Sequence, residues 1–408
     1  MTLGSRWIEH LASGIKPDKL RVFTGSKMKL TTVVTPALAG LLLIQNAAFT
    51  ATVPVPPPPN VQARSYVLVD HDSGRTLAES NSEQRLDPAS ITKLMTAYVV
   101  FHALKDGKLT LKETVNVSEH AWKAEGSRTF VQVGTQVPVD VLIQGMIVQS
   151  GNDATIALAE RVGGTEETFA ALMNTYAKQL GMKGSHFVNS TGLPSPQHYM
   201  TARDMAILGS AIVREFPTYY RWYSQREFTW NKIRQENRNG LLDRDPTVDG
   251  IKTGHTDAAG YCLVSSAKRG DMRLISVVLG TASMKAREDA SQALLNYGYT
   301  FYETQKLHAA REPLQTARVW KAGFTPVQIG LRRDLYVTVP RGQLSSIKTT
   351  INVEHRLIAP LSAQKPVGSF SVALGDQVLG QGNVFPVRDV PQGGWWRRMV
   401  DTMLLWFE

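Results

Sequence analysis

The chain has 408 residues, 43% hydrophobic and 20% charged, enough for two full cores and too apolar for extended disorder. Its formal charge is +10, but residues 1–51 hold six Lys/Arg against two Asp/Glu, so +4 lies there and a diffuse +6 beyond. No basic run interleaved with aromatics occurs, which argues against nucleic acid and leaves anionic lipid or cell-wall polymer as the better-matched surface.

Residues 1–26 are mixed and polar. From Lys27-Met28-Lys29 the chain runs "LTTVVTPALAGLLLIQNAAFTATV", which reads as a secretory signal followed by work outside the cytoplasm. No clean A-x-A triplet lies between Gln45 and Val53, so an uncleaved membrane anchor stays open. "VPVPPPPN" then makes a stiff polyproline spacer, giving an extension and signal over 1–51 and a spacer over 52–62. "ARSYVLVDHDSGRTLAESN" predicts two strands around an Asp/Ser/Gly turn.

In "LDPASITKLMTAYVV" Pro88 predicts a helix opening just after it. Ile91, Leu94, Met95, Tyr98, Val99 and Phe101 recur at helical spacing and mark its burial. Ser90 and Lys93 then lie one turn apart on the same side. A serine hydroxyl becomes a nucleophile when a base takes its proton. Lysine serves only if burial or a second cation brings its pKa from about 10.4 toward neutrality.

An all-helical, loop-interrupted stretch is expected up to about Arg214. It includes two helix patterns around Ser150-Gly151-Asn152 in "VDVLIQGMIVQSGNDATIALAERVG" and a further helix in "TFAALMNTYAKQLGM". After Trp230, "TVDGIKTGHTDAAGYCLVSSAKRGDMRLISVVLGT" predicts three strands, with Lys252-Thr253-Gly254 in the first. Gly254 there would let a ligand backbone approach closely. Cys262, the one cysteine, excludes an intramolecular disulfide and reads as a small core residue. "AREDASQALLNYGYTFYE" closes the region as a helix, so one sheet should be joined from the two ends of a domain over 63–305. Short alternating segments with Gly/Pro/Asp turns predict a small all-β domain over 306–391.

The segment 392–408 changes character again. Over 395–408 Trp396, Val400, Met403, Leu404 and Phe407 fall on one helical face, with Arg397, Arg398, Asp401, Thr402 and Glu408 on the other. Such a helix, roughly 21 Å long, is too short to span a bilayer and suits its surface. Gly393-Gly394 would uncouple it from the β domain.

Singly, each tripeptide above is ordinary loop or helix punctuation. Together and in this order, Ser90-Ile91-Thr92-Lys93, Ser150-Gly151-Asn152 and Lys252-Thr253-Gly254 resemble the S-x-x-K, S-x-N and K-T-G motifs of penicillin-binding proteins and serine β-lactamases. The flanking segments, from Ala63 to the last residue, are similar to low-molecular-mass D-alanyl-D-alanine carboxypeptidases of the peptidase S11 type. The resemblance implies an α+β fold, with a β-lactamase/transpeptidase-like catalytic domain of antiparallel sheet flanked by helices, a small all-β domain and a terminal amphipathic helix.

It implies that Ser90 attacks between the two D-alanines of a peptidoglycan stem peptide while Lys93 takes its proton. Ser150 and Asn152 would relay protons and hold the peptide, and Lys252 would keep the site cationic. The N–H groups of Ser90 and His255 would hold the oxyanion, and Thr253 and Arg238 the terminal carboxylate. Strict strand alternation puts Lys252 and Thr253 on opposite faces, and Gly240 stands where a second arginine is found in some relatives. Penicillins and other β-lactams would acylate the serine; no metal or other cofactor is implied, and the histidines form no H-E-x-x-H set. The enzyme would sit at the outer face of the cytoplasmic membrane, in the periplasm, held peripherally through the C-terminal helix. Asp204 reads as a cap or pairing residue, and Glu166 and Glu167 as acids at a helix start. A D,D-endopeptidase, a weak β-lactamase and an idle wall-binding or penicillin-binding module are the alternatives.

Overall fold

The computed structural model describes residues 54–407, so the signal-like stretch expected over 1–51 lies outside the described residues. The first hairpin forms as expected, with β1 (Ser65–Asp70) and β2 (Thr76–Ser80) paired antiparallel. Its turn closes because the Asp70 carboxylate accepts the N–H and the hydroxyl of Ser73, both at 2.8 Å, and Gly74 takes a positive φ.

The three later strands are β3 (Val248–Thr256), β4 (Gly260–Arg269) and β5 (Met272–Thr281). β5 pairs with β1, giving one antiparallel sheet in the order β2-β1-β5-β4-β3. The two ends of the domain thus meet in a single sheet, and β3 lies at its edge. Alternate residues feed two cores: Cys262, Val264, Ile275 and Val277 pack on one face, Leu263, Leu274 and Val278 on the other. Cys262 is the small core residue its context predicts.

On the first face sits the helical part. A 3-10 turn at Ala89–Thr92 leads into α1 (Lys93–Lys105), which is buried nearly all round and forms the centre of the domain. Then comes a departure from the helical expectation. Strands Thr114–Asn116 and Gln136–Pro138 pair across buried Val115 and Val137, an apolar pair that closes this stretch as a hairpin. α2 (Val139–Gln144) widens into a π-type turn over Gly145–Gln149, and the chain reverses at Ser150 before α3 (Asn152–Gly163) begins. α4 (Glu166–Leu180) and α5 (Ala202–Glu215) open on Thr165 and Thr201, whose side chains accept N–H groups of the first turn. The opposite face of the sheet is covered by α6 (Met284–Phe301), which runs straight into the strand Tyr302–His308, across the expected boundary at 305/306.

Beyond it, a five-stranded sheet runs in the order Pro313–Ala317, Val327–Gly330, Gln377–Pro386, Gly368–Leu374, Ile347–Val353, around its own core of Val327, Ile329, Val367 and Val384. The strand pair Tyr302–His308/Leu335–Pro340 ties it to the catalytic part. Thr304 donates to Asp70 at 2.7 Å, Ser73 and Thr338 share a hydroxyl contact at 2.6 Å, and Arg341 donates to the Tyr299 carbonyl.

The chain ends in α7 (Trp395–Leu404), ten residues rather than the fourteen expected, tapering through a turn to Phe407. It is not uncoupled. Gly393 N–H donates to Lys321 O, and the Asp401 carboxylate accepts the Lys321 N–H at 2.5 Å. Arg397, Asp401 and Thr402 are half-buried on this side, while Trp395, Trp396, Met399, Val400, Met403 and Leu404 are exposed. No helix among the described residues is long and apolar enough to cross a membrane.

Candidate active site

The site forms where the edge strand β3 meets the start of α1 and the turn before α3. Ala89 has φ +46 and aims the next residue, half-buried Ser90, into the cleft. Lys93, 1% exposed, places Nζ 3.0 Å from Ser90 Oγ and donates to the Thr191 carbonyl at 2.9 Å. Among the described residues it has no carboxylate within salt-bridge distance. Burial first, and then the charge of Arg238, bring its pKa down to about 7, against the opposing pull of Asp153 and Glu166.

Ser150 sits in the left-handed region at φ 66, which turns its side chain inward. Among the described residues its buried hydroxyl has no partner, and neither has Asn152 Oδ1. These are two polar atoms ready for a ligand. The turn is held from behind by Asp153, whose carboxylate accepts the N–H groups of Thr129 at 2.7 Å and Phe130 at 2.8 Å. A Cβ on Gly151 would fall 2.0 Å from Thr129 Oγ1, so the loop can close only on glycine.

On β3, Lys252 is buried and its pKa is held well below the usual lysine value by burial, then by Lys93, Arg238 and Arg287. It pairs in register with Val264, on the helical face, and Thr253 pairs with Leu263, on the α6 face, so the alternation expected of a strand holds. Gly254 has a different role from the one its motif suggests. A Cβ there would meet Pro88 O at 3.0 Å and Ile91 at 3.1 Å, so the close approach is that of the Ser90 turn to β3. His255 is exposed beside the Tyr261 ring.

Arg238 is exposed and donates to Gln149 O at 2.9 Å, at the foot of the Ser150 turn. At Gly240 a Cβ would strike Glu288, and the second arginine comes from elsewhere: Arg287 of α6, 3% exposed, donates to Arg238 O at 3.2 Å and Gly254 O at 3.4 Å. Its Nε has no partner among the described residues. Sequence reasoning missed Arg287, although an arginine on the apolar face that carries Ala290, Leu294 and Leu295 was a visible signal.

Asp204 accepts the Gly184 N–H at 2.8 Å and the Ser185 hydroxyl at 2.7 Å, so it pins the loop after α4 instead of pairing on its own helix as expected. Glu166 does more than favour a helix start: it accepts the N–H and hydroxyl of Ser190. No group of three or more metal-ligating side chains occurs among the described residues.

A serine, a buried lysine without a counter-ion and a cluster of cations at a sheet edge define the class of S-x-x-K serine enzymes. The family of D-alanyl-D-alanine carboxypeptidases matches residues 50–283, and the C-terminal domain of penicillin-binding protein 5 matches residues 302–392. D-alanyl-D-alanine carboxypeptidase DacA of Escherichia coli K12 is 40% identical over 86% of this chain and 90% of its own length; DacC of the same organism is 43% identical over 90% and 94%. Penicillin-binding protein 5 from Haemophilus influenzae superposes with a TM-score of 0.78 at 42% identity, covering 83% of this chain and all of that one. Penicillin-binding protein D2 from Listeria monocytogenes, solved in a cefotaxime-bound form, has a TM-score of 0.56 at 29% identity over 60% of this chain and all of its own. The chain belongs to the peptidase S11 family of D-alanyl-D-alanine carboxypeptidases. It is a serine-type hydrolase of peptidoglycan stem peptides.

Proposed function

We propose that Ser90 carries the reaction and that its 3.0 Å contact with counter-ion-free Lys93 is the observation on which the assignment stands. Neutral Lys93 takes the Ser90 proton as Oγ adds to the carbonyl between two terminal D-alanines. The N–H groups of Ser90 and His255 receive the oxyanion. The proton on Lys93 passes through the Ser150 hydroxyl, which accepts it as it gives its own to the leaving nitrogen; the C–N bond breaks, and D-alanine departs from an acyl-Ser90 ester that water then hydrolyses. Asn152 holds the peptide backbone. Lys252, Arg238 and Arg287 form a cationic wall that receives the terminal carboxylate, which supports cleavage at the chain end over cleavage within a cross-link. β-Lactams enter as mimics of the dipeptide and stop at the ester.

The test is intact mass after benzylpenicillin, run beside D-alanine release from a stem pentapeptide. Wild type gains one drug mass; Ser90→Ala should lose both labelling and release. Labelling that persists in the alanine variant refutes the assignment.

The same proposal places the enzyme at the outer surface of the cytoplasmic membrane, held by α7. Its polar side contacts the β domain, and its apolar side chains, including two tryptophans, face away from the protein. Starting the chain at Thr52 and deleting residues 392–408 should release it from vesicles containing phosphatidylglycerol while leaving pentapeptide hydrolysis intact. Vesicle binding equal to that of the longer chain ends the anchor assignment.

A further inference from the structure

Behind Lys93 a second carboxylate takes part in the site without touching the reacting atoms. Glu166, 14% exposed at its side chain, opens α4. One oxygen accepts both the Ser190 N–H at 2.8 Å and the Ser190 hydroxyl at 2.5 Å. The Ser190 carbonyl accepts the Thr96 hydroxyl from α1 at 2.6 Å, and the next carbonyl along, that of Thr191, receives Lys93 Nζ. The chain of contacts is therefore carboxylate, Ser190, Thr191 carbonyl, Lys93 ammonium, Ser90 hydroxyl. Every member between Glu166 and Ser90 is buried.

We propose that Glu166 is a positioning residue for acylation: it clamps the 190–191 turn so that the Thr191 carbonyl can hold Lys93 Nζ on Ser90, and its charge helps set the pH at which Lys93 can accept a proton. The proposal rests on the base role of Lys93. A helix-start acid that served only the dipole would keep its oxygens at its own first turn. Glu166 instead spends its acceptor capacity on a loop 24 residues away. A lysine held by a carbonyl has one lone pair, when neutral, to direct at the hydroxyl. If the carbonyl shifts by an ångström, the lone pair loses that direction.

The charges that face this relay are few among the described residues. Lys93 feels Arg238 and Lys252 from the β3 side and Asp153 and Glu166 from the helical side. The other Glu166 oxygen lies 3.7 Å from Nε2 of exposed His120, whose Nδ1 is 3.1 Å from Glu160. Removing the Glu166 charge removes an attraction that favours the lysine cation, so Lys93 should lose its proton at lower pH.

The experiment is the second-order and saturating rate of acylation by benzylpenicillin against pH, with melting temperature measured on every variant. In wild type the acid limb tests Lys93 itself. Glu166→Ala should lower the saturating acylation rate by about tenfold to a hundredfold with little change in the concentration for half-saturation. Glu166→Gln keeps an acceptor for Ser190, so the rate on the alkaline plateau should return while the acid limb moves to lower pH. That shift should persist in a His120→Gln background, and Glu167→Gln should behave as wild type. A Glu166→Ala enzyme with wild-type rate and profile overturns the proposal. So does a Glu166→Gln enzyme whose acid limb stays in place, a result that decides the matter even if the alanine variant does not fold.

Discussion

Lys93 is the residue on which the chemistry is most exposed to measurement. Its pKa, lowered to about 7 by burial and then by Arg238, makes it half neutral near neutrality. With Lys93 as the proposed base, acylation needs the neutral form, so the rate should rise with pH, reach half its plateau near pH 7, and flatten above. A profile already flat from pH 5 upward contradicts this. Lys93→Arg keeps the positive charge but stays protonated throughout, and should slow acylation by about 10² or more, read by stopped-flow mixing with a chromogenic cephalosporin. Ser150 belongs to the same argument. A left-handed φ and a buried hydroxyl with no partner among the described residues are two local costs at one residue, in keeping with the relay role proposed for it.

At the scale of elements, the approach of loops to the Ser90 turn decides whether the site assembles. Gly192 has φ +86, and a Cβ there would lie 1.8 Å from Ala89 O, directly before Ser90. Gly192→Ala should cost on the order of 3 kcal/mol or more in urea unfolding and depress acylation as well. Gly74, also at positive φ but in open space, should cost only about 1 kcal/mol as alanine and leave activity alone. Equal effects at the two positions contradict the close-approach account. The contrast also marks how far sequence reading reached. Ser90, Lys93, Ser150, Asn152 and Lys252 announce themselves as side chains in spaced motifs, and the hairpin, the late strands and the two-ended sheet follow from alternation. The Thr191 carbonyl, the need for glycine at 192 and the reach of Arg287 from α6 depend on contacts between segments far apart in the chain. A backbone carbonyl is present at every residue and carries no sequence signature. The hairpin at 114–116 and 136–138 was hidden for a related reason: three-residue strands are too short for a period to register.

For the whole molecule, two histidines, His198 buried and His71 half-buried, link stability to pH. His71 and His198 are each lowered to about 4, His198 by burial first, and His71 by burial and then Arg273. The unfolded chain binds their protons near pH 6.5, the folded chain only near 4. Stability should therefore fall as pH drops from about 6.5 to about 4, by up to about 1.4 kcal/mol per unit for each histidine, and this contribution should level off below. His198→Gln should flatten part of the melting-temperature slope in that window, and an unchanged slope contradicts the assignment. Further toward the C-terminus, α7 shows its polar side to the β domain and leaves Trp395 at 69%, Trp396 at 61% and Met403 at 57% exposure, with Phe407 just beyond it at 88%. In water without lipid or detergent such a surface has one remedy, which is another copy of itself. Aggregates and apparent dimers of a chain that starts at Thr52 should then dissolve on adding detergent and vanish on removing residues 392–408. Their strength reports the aversion of water for one helix face, and carries no information about how enzymes are arranged along a cell wall.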